Sequence, residues 1–128
     1  MRRFLILAPA FPLALAACDN VFGGMCTTDA RAAIEVSLTD SETAHLIDGA
    51  NATATLRYEG QMLPLTPLAI NEAGQVVTLA GGGRAGSYDI AVDAPGYRRW
   101  TREGVRVANS RCGVVTTRVE ARLQPATP

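Results

Sequence analysis

The sequence contains no lysine, one histidine and three cysteines, and its twelve arginines are balanced by twelve acidic residues. A chain without net charge offers no basic field for nucleic acid, so we expect no nucleic-acid partner. A zinc site needs several closely spaced His or Cys ligands, and a Ser-His-acid triad would depend on His45 alone. The sequence therefore favours a protein without a metal, a cofactor or catalytic residues.

No apolar run is long enough to span a bilayer as a helix. The longest uncharged apolar run, Phe4–Ala17, has 14 residues, whereas a spanning helix needs roughly 20. The run follows a short positive start, Met1-Arg2-Arg3, and it ends in small residues. This combination is typical of an export signal, which is removed from the mature protein.

The end of this signal, Leu15-Ala16-Ala17-Cys18, resembles the lipobox of bacterial lipoproteins. The resemblance implies that the Cys18 thiol carries diacylglycerol, that the chain is cut before Cys18 and that the new amine is acylated. It predicts a lipoprotein signal peptide over 1–17 and a lipidated cysteine with a flexible linker over 18–25. The protein would then be lipid-anchored in the bacterial cell envelope and face the periplasm. The alternative is a plain secretory signal with a chance cysteine.

Asp19, directly after this cysteine, resembles the retention signal that keeps lipoproteins at the inner membrane. It favours the inner over the outer membrane. The alternative is that Asp19 only opens a polar linker.

Two cysteines, Cys26 and Cys112, remain once Cys18 is assigned to lipid. An even pair in an exported chain favours a disulfide. It would join the entry of the domain to the turn before the last strand. The alternatives are two free thiols or a metal pair, and the metal pair is disfavoured because His45 is the only histidine.

Residues 26–128 alternate between apolar and polar side chains with a period of two, which is typical of half-buried strands. The clearest runs are Ile34–Leu38, Ala50–Tyr58, Ser87–Val92 and Val115–Leu123, and weaker ones are Met62–Leu65, Gln75–Leu79 and Arg98–Val107, broken at Gly104. Turn-forming residues separate them, so we predict one all-β domain, an antiparallel seven-strand β-sandwich. Ser41–Ile47 is predicted to make a helical turn capped by Ser41. The expected core is Ile34, Val36, Leu56, Tyr88, Ile90, Val92, Val115, Val119 and Leu123.

The stretch Gly86–Tyr97 (GSYDIAVDAPGY) resembles carboxypeptidase regulatory-like domains, which are small sandwiches of the prealbumin-like fold. The Leu56–Glu59 strand before it and the Val114–Leu123 strand after it stand in the order expected for this family, and the resemblance covers residues 32–124. A cysteine before the first strand and another before the last is similar to bacterial lipoproteins that carry this domain. The resemblance implies a binding or structural module without catalytic machinery.

Three further features point away from an enzyme. Gly81–Gly86 (GGGRAG) matches the G-x-G-x-x-G pattern, but a strand follows it instead of the helix that a dinucleotide site requires, so we predict a hairpin loop. Asp89 and Asp93 share one strand face about 13 Å apart, farther than paired glycosidase carboxylates. His45 lies among polar residues, and we expect it to be solvated. An enzyme of unrecognised chemistry remains as an alternative.

Arg98, Trp100 and Arg102 form a candidate contact patch on one strand face. An exposed tryptophan between arginines would stack on a sugar or contact a protein. A half-buried tryptophan covered by arginine side chains would instead be structural. We therefore expect a membrane-anchored binding or scaffold module with a protein or glycan partner. The alternative is a soluble periplasmic carrier or a carbohydrate-binding module.

Overall fold

Ten β-strands make up most of the computed structural model, which describes residues 31–127. The predicted signal peptide, Cys18 and Cys26 lie outside the described residues. A single 3-10 turn, Gly49–Asn51, precedes β2. The strands are β1 (Ile34–Asp40), β2 (Thr53–Tyr58), β3 (Gln61–Pro64), β4 (Thr66–Ile70), β5 (Val76–Gly81), β6 (Gly86–Asp93), β7 (Trp100–Val107), β8 (Asn109–Ser110), β9 (Gly113–Val114) and β10 (Thr117–Leu123).

Eight of these strands form two four-stranded sheets, which we call sheet A and sheet B. Sheet A has the order β10-β1-β5-β4 and sheet B the order β3-β2-β6-β7, while β8 and β9 form a separate short hairpin. Neighbouring strands are antiparallel, except that β1 and β10 run parallel. The predicted all-β sandwich is confirmed, with eight strands in its two sheets where seven were expected.

The additional strand is β4, which the alternation of the sequence does not reveal. Leu65 alone separates it from β3, and the buried Leu65 donates its backbone N–H to the Ala54 carbonyl at 2.9 Å. The chain thus crosses from the edge of sheet B to the edge of sheet A within one residue. Pro67 is tolerated in β4 because an edge strand leaves one row of its backbone groups outside the ladder. Leu68 and Ile70 face solvent, so the strand lacks an obvious apolar side.

The core predicted from the alternation is correct at eight of its nine positions. These eight side chains are at most 6% exposed. Val115 is the exception, because its side chain is 48% exposed. Strand β10 begins only at Thr117. Val115 belongs to the preceding loop, where its N–H donates to the Ala108 carbonyl at 2.9 Å.

No helix forms over the predicted segment Ser41–Ile47, which makes only one hydrogen-bonded turn, closed by the Ala44 N–H on the Asp40 carbonyl at 2.8 Å. Asp40 and not Ser41 caps it, because Asp40 Oδ1 accepts the backbone N–H groups of Glu42 at 2.8 Å and Thr43 at 3.1 Å. Ala44 adopts φ +64°, a left-handed conformation that is incompatible with a continuing helix.

Strand β7 continues through Gly104, where the sequence predicted a break. Its register with β6 shifts between Tyr88 and Ile90, and Gly104 adopts φ +69°. The Gly104 N–H donates to Asp89 Oδ1 at 3.0 Å. This β-bulge absorbs an extra residue, so that Trp100 and Val105 both face the interior although their numbers differ in parity.

Candidate functional site

The sandwich has two distinct ends, and the chain enters at one of them. We call this the entry end: β1, β6 and β10 begin there and β2, β5 and β7 finish there. Ala33 donates its N–H to the Gly82 carbonyl at 3.1 Å, which joins the incoming segment to the loop between β5 and β6. We call the opposite end the far end.

A cavity of about 430 Å³ lies at the entry end, between sheet B and the loop that joins β5 to β6. Its apolar wall includes Leu63, Tyr58 and the buried Tyr88, and its rim carries Glu59, Gln61 and Arg84. The two tyrosine rings stack with centroids 4.6 Å apart and planes at 30°. The rim combines donors and acceptors around an apolar floor, an arrangement common in small-molecule sites.

The glycine-rich loop Gly81–Gly86 forms one side of this cavity. As expected, strand β6 follows it directly, but the predicted hairpin is wrong because β5 and β6 belong to different sheets. The loop is fixed by tyrosine hydroxyls: Tyr58 donates to the Ala85 carbonyl at 2.8 Å, and Tyr88 donates to the Arg84 carbonyl at 2.7 Å. Three of the four glycines permit close packing, because a Cβ at Gly81, Gly82 or Gly86 would lie 2.7–3.0 Å from a neighbouring atom, whereas one at Gly83 would meet nothing within 4 Å.

A second, more open cavity of about 460 Å³ lies on the outer face of sheet A at the entry end. Its lining includes two exposed apolar side chains, Leu68 at 57% and Val115 at 48% exposure. Beside them lie Arg31, Glu35 and Arg118, and Arg118 Nε donates to Glu35 Oε1 at 3.2 Å. The cavity borders the residue at which the described chain starts.

Charge is distributed unequally between the two ends, although the whole chain is neutral. We count the loops of each end together with the two adjoining residues of every strand. The entry end then carries six arginines and two glutamates: Arg31, Arg57, Arg84, Arg106, Arg111, Arg118, Glu35 and Glu59. The far end carries five acids and three arginines: Asp40, Glu42, Asp48, Glu72, Asp93, Arg98, Arg99 and Arg122. The entry end is therefore the positive end of the domain.

The predicted contact patch is only partly assembled. Trp100 is half-buried and packs against the core, and the Arg102 guanidinium lies 5.2 Å from the centroid of its ring. Arg98 precedes β7 and donates its backbone N–H to the Gln124 carbonyl at 2.8 Å. Arg102 thus covers a face of Trp100 on which a sugar would have to stack. This matches the alternative in which a half-buried tryptophan is covered by an arginine side chain and has a structural role.

Asp89 and Asp93, which the sequence analysis compared with a glycosidase pair, and also Asp48 have structural partners. Asp89 accepts the N–H of the bulge glycine, Gly104. Asp93 pairs with Arg99 at 2.9 Å, and both side chains are more than half exposed. Asp48 Oδ1 accepts the N–H groups of Ala50 at 2.9 Å and Val76 at 2.8 Å, which ties the 3-10 turn to β5.

Asp40 forms the most connected polar group of the far end. The backbone N–H groups of Glu42 and Thr43, followed by the Tyr97 hydroxyl, lower the pKa of Asp40 below its ordinary value of 3.8. Tyr97 donates to Asp40 Oδ2 at 2.9 Å, and this hydrogen bond raises the pKa of Tyr97 above 10.0. The pair joins the end of β1 to the Pro95-Gly96 turn.

The remaining candidate residues lie apart from these groups. His45 is exposed, as expected. Cys112 lies between β8 and β9, and its predicted partner Cys26 lies outside the described residues, so the disulfide stays a prediction. Over residues 31–127, no three His, Cys, Asp or Glu side chains are grouped as a metal site would require.

Sequence reasoning missed the grouping at the entry end. Arg31, Leu68 and the neighbouring pair Val115 and Arg118 come from three separate segments, and the alternation pattern gave no signal that would unite them. No helix within the described part of the chain has the length and apolar character to cross a membrane. No protein-family model and no curated protein matches the sequence.

Proposed function

We propose that the protein is a lipid-anchored module of the bacterial cell envelope that acts by binding or scaffolding and not by catalysis. The tetrapeptide Leu15-Ala16-Ala17-Cys18 carries this proposal. The fold is compatible with it, because the first described strand begins at Ile34, sixteen positions after Cys18. The chain between Cys18 and β1 is long enough to connect a lipid to the sandwich.

A binding role is supported by how the acidic side chains are used. Asp40, Asp48 and Asp89 each accept backbone N–H groups at a turn or bulge. Carboxylates that accept backbone N–H groups in this way have a structural role in the turns and the bulge, which favours a binding or scaffold module over an enzyme that uses them. The carboxypeptidase regulatory-like resemblance of Gly86–Tyr97 supports the same class of function.

Lipidation is tested by producing the full chain in a bacterial host and measuring the intact mass of the mature protein. We expect a chain that begins at Cys18 and carries acyl groups, found in the membrane fraction. Cys18→Ser should be uncleaved or cut elsewhere, and Cys112→Ser serves as the control that keeps its lipid. A mature chain without lipid would contradict the proposal and favour a soluble periplasmic carrier.

We also propose that Cys26 pairs with Cys112. The Cys112 side chain is not a free thiol, which supports the proposal. The β8–β9 hairpin also lies beside the entry segment, since the Thr116 hydroxyl donates to the Ala32 carbonyl at 2.7 Å. Ala32 lies six positions after Cys26, a span of at most about 22 Å.

Peptide mapping without reduction should find a peptide that joins the two cysteines. Loss of this disulfide in Cys112→Ser should lower the free energy of unfolding by about 2–5 kcal/mol. Free thiols at both positions in material from the periplasm would contradict the pairing.

A further inference from the structure

We infer that the entry end is a docking surface for an anionic phospholipid bilayer, so that the domain is held in a fixed orientation on the membrane and does not merely hang from its lipid. The inference rests on the proposed lipidation of Cys18. It adds a second, independent contact between the protein and the membrane. The far end, with Asp40 and Tyr97, is then directed away from the bilayer.

The first argument is the distance between the anchor and the surface. Arg31 lies thirteen positions after Cys18, and such a segment spans at most about 45 Å when fully extended. The entry end is therefore held within about 45 Å of the bilayer once Cys18 is lipidated. A tethered surface of this kind experiences a high effective concentration of headgroups, so even weak contacts become populated.

The second argument is charge complementarity. Six arginines and two glutamates lie at the entry end, whereas acids outnumber arginines at the far end. Arginine side chains near a surface are attracted to anionic headgroups over about one Debye length. The acidic far end is repelled by the same field, so both ends favour one orientation.

The third argument is the apolar part of the surface. Leu68 and Val115 are 57% and 48% exposed and line the cavity that also contains Arg31 and Arg118. Exposed apolar side chains bordered by arginines match the boundary between headgroups and acyl chains. Ile70 is similarly exposed, at 63%, but it is the last residue of β4, two positions beyond Leu68 toward the far end. It provides a matched control.

The test uses the lipidated full mature protein in vesicles that contain phosphatidylglycerol and brominated lipids. Tryptophan is introduced as Val115→Trp or Ile70→Trp, and quenching is measured relative to the protein with Trp100 alone. We expect quenching and a blue shift for Val115→Trp and neither for Ile70→Trp. The Val115→Trp signal should fall several-fold in neutral phosphatidylcholine vesicles and in high salt.

Two charge-neutralising double variants, one at each end of the sandwich, distinguish electrostatic orientation of the domain from simple tethering by the lipid. Arg31→Gln with Arg84→Gln should weaken the quenching of Val115→Trp, whereas Arg98→Gln with Arg122→Gln at the far end should not. All variants should still sediment with vesicles through the lipid. Circular dichroism of each variant verifies that it is folded.

The outcomes distinguish this inference from the proposed function. If the protein is lipidated and sediments with vesicles, yet Val115→Trp and Ile70→Trp are quenched equally or not at all, the docking surface is refuted and the lipid anchor stands. Quenching of Val115→Trp that is unaffected by lipid charge and by the arginine variants also refutes it. A self-association of the Cys18→Ser protein that Val115→Glu abolishes would assign the surface to a second copy and refute it. An intact mass without lipid overturns both proposals.

Discussion

Val119 and Val115 provide a direct test of the sandwich, because the sequence pattern treats them alike and the structure does not. Val119 is 6% exposed and pairs with Val36 across the parallel β1–β10 ladder. Val115 is 48% exposed in the loop before β10. The same substitution, valine to alanine, therefore removes buried surface at one position and largely hydrated surface at the other.

The magnitude follows from the atoms removed. Valine to alanine deletes the equivalent of two methylene groups, about 1.6 kcal/mol of transfer free energy when both are buried, and the cavity left behind raises the cost to about 2–3 kcal/mol. For a domain of this size, Val119→Ala should lower the melting temperature by about 8–20 °C. Val115→Ala should change stability by less than about 0.5 kcal/mol.

Both variants are measured by thermal unfolding followed by circular dichroism and by urea unfolding of the Cys18→Ser protein. A larger loss for Val119→Ala than for Val115→Ala is required by the structure. Equal losses would mean that residue 115 is a core position and that β10 starts earlier, as the alternation of the sequence predicts. The burial argument would then be refuted.

Two further predictions concern the glycine-rich loop and the far end. Gly86→Ala should cost about 1–3 kcal/mol in urea unfolding, because Gly86 has φ +137° and the new Cβ would lie 2.9 Å from Tyr58 Cε1, whereas Gly83→Ala meets nothing within 4 Å and should be neutral. Equal effects of the two would contradict this packing. The folded-state pKa of Asp40 is lowered, so its stabilisation is present above pH 3.8 and is lost as the pH falls through the folded-state pKa. The difference in unfolding free energy between wild type and Asp40→Ala should therefore be largest near neutral pH and shrink in acid, and a constant difference would refute the role of the carboxylate.

Local patterns in the sequence predicted much of the fold. Ile34, Val36 and Leu38 alternate with polar residues because a pleated strand places successive side chains on opposite faces, and this holds wherever one face is buried. The strand predictions are wrong where the chain departs from regular alternation between a buried and an exposed face. Edge strand β4 exposes Leu68 and Ile70, and the bulge at Gly104 reverses the parity of β7, so neither position can be assigned from alternation.

The strands could largely be predicted from the sequence, whereas the candidate surface at the entry end could be recognised only in the tertiary structure. The sequence by itself determined the resemblance of Leu15–Cys18 to a lipobox, the absence of net charge and the strand faces, because each is a property of neighbouring residues or of composition. Only the tertiary structure decided that Tyr58 and Tyr88 fix the loop between the sheets, that Arg102 covers Trp100 and that Arg31, Leu68, Val115 and Arg118 share one surface. Strand pairing brings these residues together from segments far apart along the chain. The chain is neutral overall, and its charged residues are divided between a positive entry end and an acidic far end because the direction of each strand decides at which end its terminal residues lie.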